Sequence, residues 1–290
     1  MIFVGRSNQN PLSSPPWQGV ELLEPNMSIV KTSTDSGRRF AACAAILGAL
    51  FIWAMLACYA IAVGGDFEVL AHPAMALAMT AAAQNWFVAS MLADIGVYLS
   101  FLVVGGYFWS RRRGDRDVFI EIATLCITCF VVLGVAGASM QLAALPALAH
   151  AHATGDAMIR AASESTWLGV VAMAQGGLWW VEGPLMAFWC IVVGRAQLQT
   201  NAGLGGLLIV AGFFFGANFI FAIAGLANVA QAIELPLIGA LSLWMLFTGV
   251  GLLPAAPVTT AMLPVEDTGC GRTPPLGPSD IVASIFGGER

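Results

Sequence analysis

The sequence predicts an all-α fold, namely a polytopic membrane bundle of six transmembrane helices with both termini in the cytoplasm. Three observations predict it. Of the 290 residues, 58% are hydrophobic and only 10% are charged, whereas charged residues make up roughly a quarter of soluble globular domains. Long apolar runs reach the ~20 residues that a helix needs to cross the hydrocarbon core. All Lys and Arg residues except Arg160 fall on one side once these runs are placed.

The termini differ in composition from the apolar centre of the chain. Residues 1–37 are rich in Pro, Ser and Asn, and they predict a disordered cytoplasmic tail. We do not expect this tail to be a signal peptide, because the first apolar run begins only near Phe40. Met27 is an alternative translational start. The Pro- and Gly-rich residues 256–290 predict a second disordered cytoplasmic tail, which leaves 38–255 as the transmembrane domain.

Each apolar run is long enough to span a membrane as a helix. Lipid offers no partners to backbone amides, so runs of this length must satisfy their hydrogen bonds internally, as helices do. The predicted spans are residues 40–64, 86–109, 118–147, 167–194, 203–227 and 235–254. Gly212 and Gly216 in the fifth span form a small-xxx-small face, which predicts close approach of another helix.

The loops set the expected orientation. Basic residues precede span one, fill the loop after span two and follow span four, and the positive-inside rule places these segments in the cytoplasm. We therefore expect a multi-pass protein of the cell inner (plasma) membrane. The first outer loop contains a predicted short helix that begins at Pro73 and lies along the membrane surface. The second runs from His150 to Thr166, and Ser163–Thr166 are predicted to cap the fourth helix.

Asp94 in span two and Glu182 in span four are the candidate functional residues. An ionisable side chain inside a bilayer is costly and usually has a role or a partner. Ser90, Asp94 and Tyr98 are spaced one turn apart, so they form a polar stripe on one helical face. Pro184 follows Glu182 and should bend span four. A bend beside an acid favours a pocket.

The predicted pocket gathers polar and aromatic residues around the acids, because spacing places Gln175, Trp179, Glu182 and Trp189 on one face of span four. Besides the acids, it contains Ser90, Tyr98, Gln175, Trp179, Trp180, Trp189 and Asn218. In hydrocarbon an unpaired carboxyl group tends to stay protonated, and it can then donate a hydrogen bond or release a proton when hydrated. The structural alternative is that both acids hydrogen-bond to neighbouring polar groups and only hold helices together. Gln141 is a further polar residue inside a span.

Metal, cofactor and nucleotide sites are not predicted. The histidines, which are His72, His150 and His152, lie in outer loops, whereas membrane haem proteins need paired ligands within facing helices. Cys126 and Cys129 have the spacing of a redox pair, but they fall in the cytoplasmic half of span three and are interpreted as packing residues. Nor does the sequence contain a phosphate loop or a basic nucleic-acid footprint. The lipid bilayer is the expected partner, with membrane proteins or a homo-oligomer as further partners.

Short motifs in two spans and one turn carry a resemblance to one group of proteins. They are Met91-Leu-Ala-Asp94 in span two, Gly176-Gly-Leu-Trp-Trp180 in span four and the basic turn Gly194-Arg195 before a Gly-rich span five. Over residues 40–254 the chain thus resembles a group of uncharacterised bacterial six-pass integral membrane proteins, a domain of unknown function. Glu182-Gly-Pro184 is not part of the shared pattern. The resemblance implies a six-pass inner-membrane fold and no particular activity.

The sequence is compatible with two functions. One is transport of a small solute or proton, or an accessory role in a membrane complex, with Asp94 and Glu182 as intramembrane acids. The alternative is a membrane-embedded enzyme that acts on a lipid-soluble, isoprenoid- or quinone-like substrate. In that enzyme, Glu182 or Asp94 would be the general acid, and Trp179, Trp180 and Trp189 could stabilise a carbocation. Whether the chain is an enzyme is therefore uncertain.

Overall fold

The structure, a computed structural model, describes residues 27–66, 69–112 and 117–253, and these form helices and short connections without strands. The helices are α1 (Met27–Ala62), α2 (Pro73–Leu77), α3 (Ala81–Arg112), α4 (Val118–Thr154), α5 (Ala157–Met173), α6 (Trp179–Leu198), α7 (Ala202–Ile223) and α8 (Ala227–Leu252). A 3₁₀ turn at Val69–Ala71 precedes α2, and a π-helical turn at Ala174–Leu178 joins α5 to α6. The all-α prediction is confirmed.

Six segments of the described chain are long and apolar enough to cross a membrane, as predicted. They are Ser36–Ala62, Ala81–Arg112, Val118–Thr154, Ala157–Leu198, Ala202–Ile223 and Asn228–Leu252. The fourth is 42 residues long, because α5, the π-helical turn and α6 run on without a break. It therefore begins well before the predicted start at residue 167.

Two arginines tie helix ends together on one side of the bundle. The Arg38 Nε donates to the carbonyl of Leu252 at 2.9 Å, and the Arg112 Nη2 donates to the carbonyl of Ala196 at 2.9 Å. Carbonyls in a last helical turn have no partner within their helix, and a cation there also complements the helix dipole. The start of the first span and the end of the sixth thus lie at the same end, which we call the arginine-rich end.

The predicted boundaries of the tails and of the second outer loop differ from the structure. Because α1 begins at Met27, residues 27–37 are helical rather than part of a disordered tail. The rest of that tail, and the tail predicted at 256–290, lie outside the described residues. The predicted loop from His150 to Thr166 is wrong: α4 continues to Thr154 and α5 starts at Ala157. Residues 143–162 are rich in alanine, which has the highest helix propensity, and they form helix on both sides of Gly155 and Asp156 despite their polar residues.

Asp156, rather than Ser163–Thr166, caps the fourth span. Its Oδ1 accepts hydrogen bonds from the amides of Met158 at 3.0 Å and Ile159 at 2.9 Å. These amides belong to the first turn of α5 and would otherwise have no intrahelical partner. The cap therefore fixes where the fourth span begins.

Asp156→Ala is expected to lower the free energy of unfolding by about 1 kcal/mol, the usual cost of losing an N-cap. Thermal or denaturant unfolding of the purified protein in detergent measures this loss. Asp156→Asn is the matched control, because it keeps an oxygen that can accept from both amides. Equal stability of the alanine variant and the natural protein would show that the cap does not contribute to the free energy of unfolding.

The segment between the first two spans folds onto the bundle. As predicted, α2 is a short helix with a proline at its start. Its Ala76 and Leu77 are buried together with Phe87 and Trp167, and the Trp167 Nε1 donates to the carbonyl of Leu70 at 3.2 Å. The segment is therefore attached to α3 and α5 through side chains of the bundle.

Two clusters of buried side chains form the core. The first contains an aromatic group in which Trp189 lies edge-on to Phe101 at 6.2 Å and to Trp244 at 5.7 Å between ring centroids. The second surrounds Trp167. Tyr98 belongs to the first cluster, and Trp179 packs against the second. The part of α6 between Trp179 and Trp189 therefore spans the junction of the two clusters.

Glycines bring α6 and α7 into close contact. A Cβ added to Gly212 would lie 2.9 Å from the Cys190 Cβ and 3.0 Å from the carbonyl oxygen of Ala187, whereas one on Gly216 would have ordinary contacts. One on Gly205 would lie only 2.5 Å from the amide nitrogen of Leu198. The small-residue face predicted at Gly212 is thus confirmed, and its tightest point is at Gly205.

Candidate functional site

Polar side chains from α3, α4 and the fourth span meet inside the bundle, and we call them the intramembrane polar cluster. Its members are Ser90, Asp94, Tyr98, Gln141, Gln175, Trp179 and Glu182. Spacing of one turn along α3 aligns the first three, as the sequence predicts. The cluster is assembled by hydrogen bonds and ring contacts between helices that are distant in sequence.

The central contact joins Tyr98 to Glu182. The Tyr98 hydroxyl donates to the Glu182 Oε2 at 2.9 Å, across 84 residues of sequence. Both residues are 7% exposed. The other carboxyl oxygen of Glu182, Oε1, is buried without a hydrogen-bond partner among the described residues. One oxygen of this carboxyl group is thus hydrogen-bonded, and the other oxygen is available to a further partner.

Two glycines of α4 make room for the rings of the cluster. A Cβ on Gly134 would overlap the ring of Tyr98, and a Cβ on Gly137 would meet the indole of Trp179. Both glycines are buried on the face of α4 that also carries Gln141. Because α4 has no side chain at these positions, the two rings lie directly on its backbone, and this fixes the direction of the Tyr98 hydroxyl.

The π-helical turn at Ala174–Leu178 interrupts the fourth span beside the cluster. Two consecutive glycines, Gly176 and Gly177, lie within it, and glycine disfavours regular helix. Gln175 belongs to this turn, and its Nε2 donates to the Oε1 of Gln141 in α4 at 3.3 Å. Such turns occur frequently at functional sites, because they shift one residue out of the regular helical register. Pro184 follows inside α6.

Asp94 lies at the half-buried edge of the cluster. It is close enough to Tyr98 and Glu182 to interact with both electrostatically. Asp94 has more exposed surface than Glu182. The cluster therefore contains one deeply buried carboxyl group, one half-buried carboxyl group and a tyrosine hydroxyl on the same stripe.

Buried polar atoms without partners are concentrated in this cluster. Among the described residues there are five such side-chain atoms, and all but the Thr248 Oγ1 belong to it. The four cluster atoms are the Ser90 Oγ, Gln141 Nε2, Trp179 Nε1 and Glu182 Oε1. Folded proteins contain few such atoms, because each costs about 1–3 kcal/mol when left unpaired. Their concentration indicates a polar site rather than ordinary helix contacts.

Three residues of the predicted pocket lie elsewhere. The Trp180 side chain is 44% exposed. Trp189 packs in the aromatic group with Phe101 and Trp244. The Asn218 Nδ2 donates to the carbonyl of Ala230 at 2.9 Å and so joins α7 to α8. The structure thus assembles Ser90, Asp94, Tyr98, Gln175, Trp179 and Glu182 of the predicted pocket, and it adds Gln141.

Among the described residues, no histidine or cysteine joins Asp94 and Glu182 in a metal-binding group. His152 lies in the last turns of α4, and its Nε2 is 2.9 Å from the Glu164 Oε1 in α5, so it is paired rather than a solvated loop residue. Cys126 and Cys129 are free thiols. In the part of the chain that the structure describes, no group of three or more His, Cys, Asp or Glu side chains could hold a metal ion.

Comparisons with family models, with curated proteins and with solved structures found no match to this chain. The resemblance to a bacterial six-pass family therefore stays a prediction.

Proposed function

We propose that this multi-pass membrane protein transports protons, either alone or together with a small solute, and that Glu182 and Asp94 carry the proton. The observation that supports this most strongly is the buried Glu182 carboxyl group, which is held at one oxygen by Tyr98 and unpartnered at the other. The proposal includes the predicted location in a cell inner membrane with cytoplasmic termini. Membrane-protein partners and a homo-oligomer remain predictions.

The chemistry of the cluster suits proton transfer. A carboxyl group without a cationic partner inside a membrane is costly when charged, and acids in this position are typical of proton relays. Tyr98 can both donate and accept a hydrogen bond, and it lies one turn from Asp94 on α3. A proton could thus pass from the half-buried Asp94 through the tyrosine hydroxyl to Glu182.

The enzyme alternative needs an aromatic pocket around one acid. Trp179, Trp180 and Trp189 would have to surround a lipid-soluble substrate. Trp180 is exposed, and Trp189 lies ten residues beyond Trp179, or about 15 Å along α6. The three indoles therefore do not converge, and we favour transport.

Proton flux in liposomes tests the proposal. The purified protein is reconstituted with an internal pH-sensitive dye, and a potassium gradient with valinomycin drives protons inward. Proteoliposomes are expected to acidify faster than empty liposomes. Glu182→Gln should lower the rate about tenfold or more, since it keeps the shape of the side chain but cannot carry a proton. Asp94→Asn should act in the same direction.

Glu121→Gln is the matched control, because Glu121 is exposed in the first turn of α4, lies outside the intramembrane polar cluster, and keeps as glutamine an oxygen that can accept from the Trp109 Nε1. Its rate should equal that of the natural protein. Thermal stability is measured for every variant in the same detergent. A natural rate no faster than that of empty liposomes would contradict the proposal. Full flux in Glu182→Gln would do the same, and lost stability in that variant would favour the structural alternative.

A further inference from the structure

A cavity of about 430 Å³ opens between the helices at the arginine-rich end. The last turns of α3, α6 and α8 and the first turns of α4 and α7 surround it. Its volume falls in the range of about 300–1,000 Å³ that is usual for small-molecule sites. None of its lining residues belongs to the intramembrane polar cluster, so it is a separate site.

The charged residues that line this cavity are cations. Arg111 and Arg112 reach it from the end of α3, and the lining contains no Asp or Glu among the described residues. Arg112 is held by the carbonyl of Ala196. Arg111 is exposed, with its guanidinium 6.0 Å from the centre of the Tyr107 ring. Arg111 is therefore the cation that a ligand can recruit without breaking a helix contact.

Buried polar groups add donors deeper in the cavity. Gln197 is 9% exposed, and its Oε1 accepts from the Trp244 Nε1 at 3.0 Å. That bond leaves the amide NH₂ of Gln197 as the group available to a ligand. Thr248 is 3% exposed, and its Oγ1 has no hydrogen-bond partner among the described residues. An unpaired hydroxyl in a cavity wall is a ready contact for an oxygen-rich ligand.

Most of the remaining wall is apolar. The partly buried Phe108 and Leu204 face the cavity, and Trp189 and Val193 lie behind them, almost fully covered. The rim is thus cationic, while the interior offers the Phe108 ring and aliphatic surface. A ligand that fits both parts needs an anionic head and a flat or apolar body.

From this arrangement we propose that the cavity binds an amphiphilic anion, with its phosphate or carboxylate at Arg111 and its apolar body against the Phe108 ring. Such an anion could be the headgroup region of an acidic membrane lipid or a soluble aromatic acid. Both share the chemistry that the site recognises. The proposal does not depend on proton transport by the intramembrane polar cluster.

Binding of 2-naphthyl phosphate to the full chain tests the site. The protein is placed in nanodiscs of neutral phosphatidylcholine, and calorimetry measures affinity for this probe, for uncharged 2-naphthol and for inorganic phosphate. The probe is expected to bind about tenfold or more tightly than either fragment, because only the probe engages the cationic rim and the aromatic wall together. Arg111→Gln should weaken probe binding about tenfold.

Arg195→Gln is the matched control, since Arg195 is an exposed cation at the same end that does not line the cavity. Its affinity for the probe should remain natural. Thr248→Val provides a second variant of nearly equal shape and should also weaken binding. Equal affinity for 2-naphthol and 2-naphthyl phosphate would overturn the proposal, as would equal losses in Arg111→Gln and Arg195→Gln.

A second arm distinguishes the two sources of the anion. The probe is titrated again in nanodiscs that contain phosphatidylglycerol. A lipid ligand would compete, so the apparent affinity for the probe should fall in the natural protein and not in Arg111→Gln. Unchanged affinity would assign the site to a soluble anion.

Discussion

Gly205→Ala is expected to destabilise the protein by about 3 kcal/mol, at the upper end of what overpacking usually costs. The added Cβ would lie 2.5 Å from the Leu198 amide nitrogen and 2.7 Å from the Gly194 carbonyl oxygen. These are backbone atoms, so the clash cannot be relieved by a rotamer change. Helices in lipid associate largely through close contact at small residues. Separating α6 from α7 would therefore remove the contacts that hold them together.

Gly206→Ala is the control for this prediction, because a Cβ there meets nothing within 4 Å. The two glycines are adjacent in α7, so helix propensity changes equally in both variants. Thermal unfolding in detergent should show a large loss for Gly205→Ala, and a neutral or slightly stabilising effect for Gly206→Ala. Equal melting temperatures of the two variants would show that the close crossing of α6 and α7 is not needed.

The transmembrane segments were predictable because length and apolarity alone decide whether a helix can span a membrane. The residues at which these segments begin and end were harder to predict. Residues 157–166 contain Arg160 and Glu164, and their polarity suggested a loop, yet they form the first turns of α5. Once Asp156 caps this helix, the polar side chains can point outward while Ser163 and Trp167 face the interior. Polar side chains indicate that part of a segment is exposed, and they do not by themselves indicate that a helix has ended.

The polar cluster was predictable along each helix but not between helices. One-turn spacing correctly aligned Ser90, Asp94 and Tyr98 on α3. Trp189 shares a buried face with Glu182, as the spacing predicts, but it lies farther along α6 and joins another cluster. The spacing gives the side of a helix, but it does not tell which residues of the neighbouring helices lie opposite each position.

The cavity at the arginine-rich end shows the same limit. Arg111, Gln197 and Thr248 each look like ordinary residues near the end of a span. They come from α3, α6 and α8, and only the tertiary structure brings them to one cavity. A sequence signal for such a site would need to link positions on three helices, which periodicity cannot do.

Gly134→Ala is expected to destabilise the protein by about 2–3 kcal/mol and to disable the contact at Glu182. A Cβ at this position would overlap the ring of Tyr98, which lies directly on the backbone of α4. The ring would have to move, and the hydroxyl would then leave the Glu182 Oε2, from which it is 2.9 Å. Proton flux should therefore fall along with stability. Gly106→Ala, where a Cβ meets nothing within 4 Å, is the control.

A double-mutant cycle separates the steric cause from a general loss of fold. Tyr98→Ala removes both the ring and the hydroxyl, so adding Gly134→Ala to it should cost almost nothing further in stability. The two changes should thus be strongly non-additive, as expected for residues in direct contact. Flux should be low in both single variants and in the double variant, since each lacks the hydroxyl beside Glu182. Additive losses of stability would mean that the Tyr98 ring does not rest on Gly134. Full flux in Tyr98→Ala would mean that the hydroxyl bonded to Glu182 takes no part in transport.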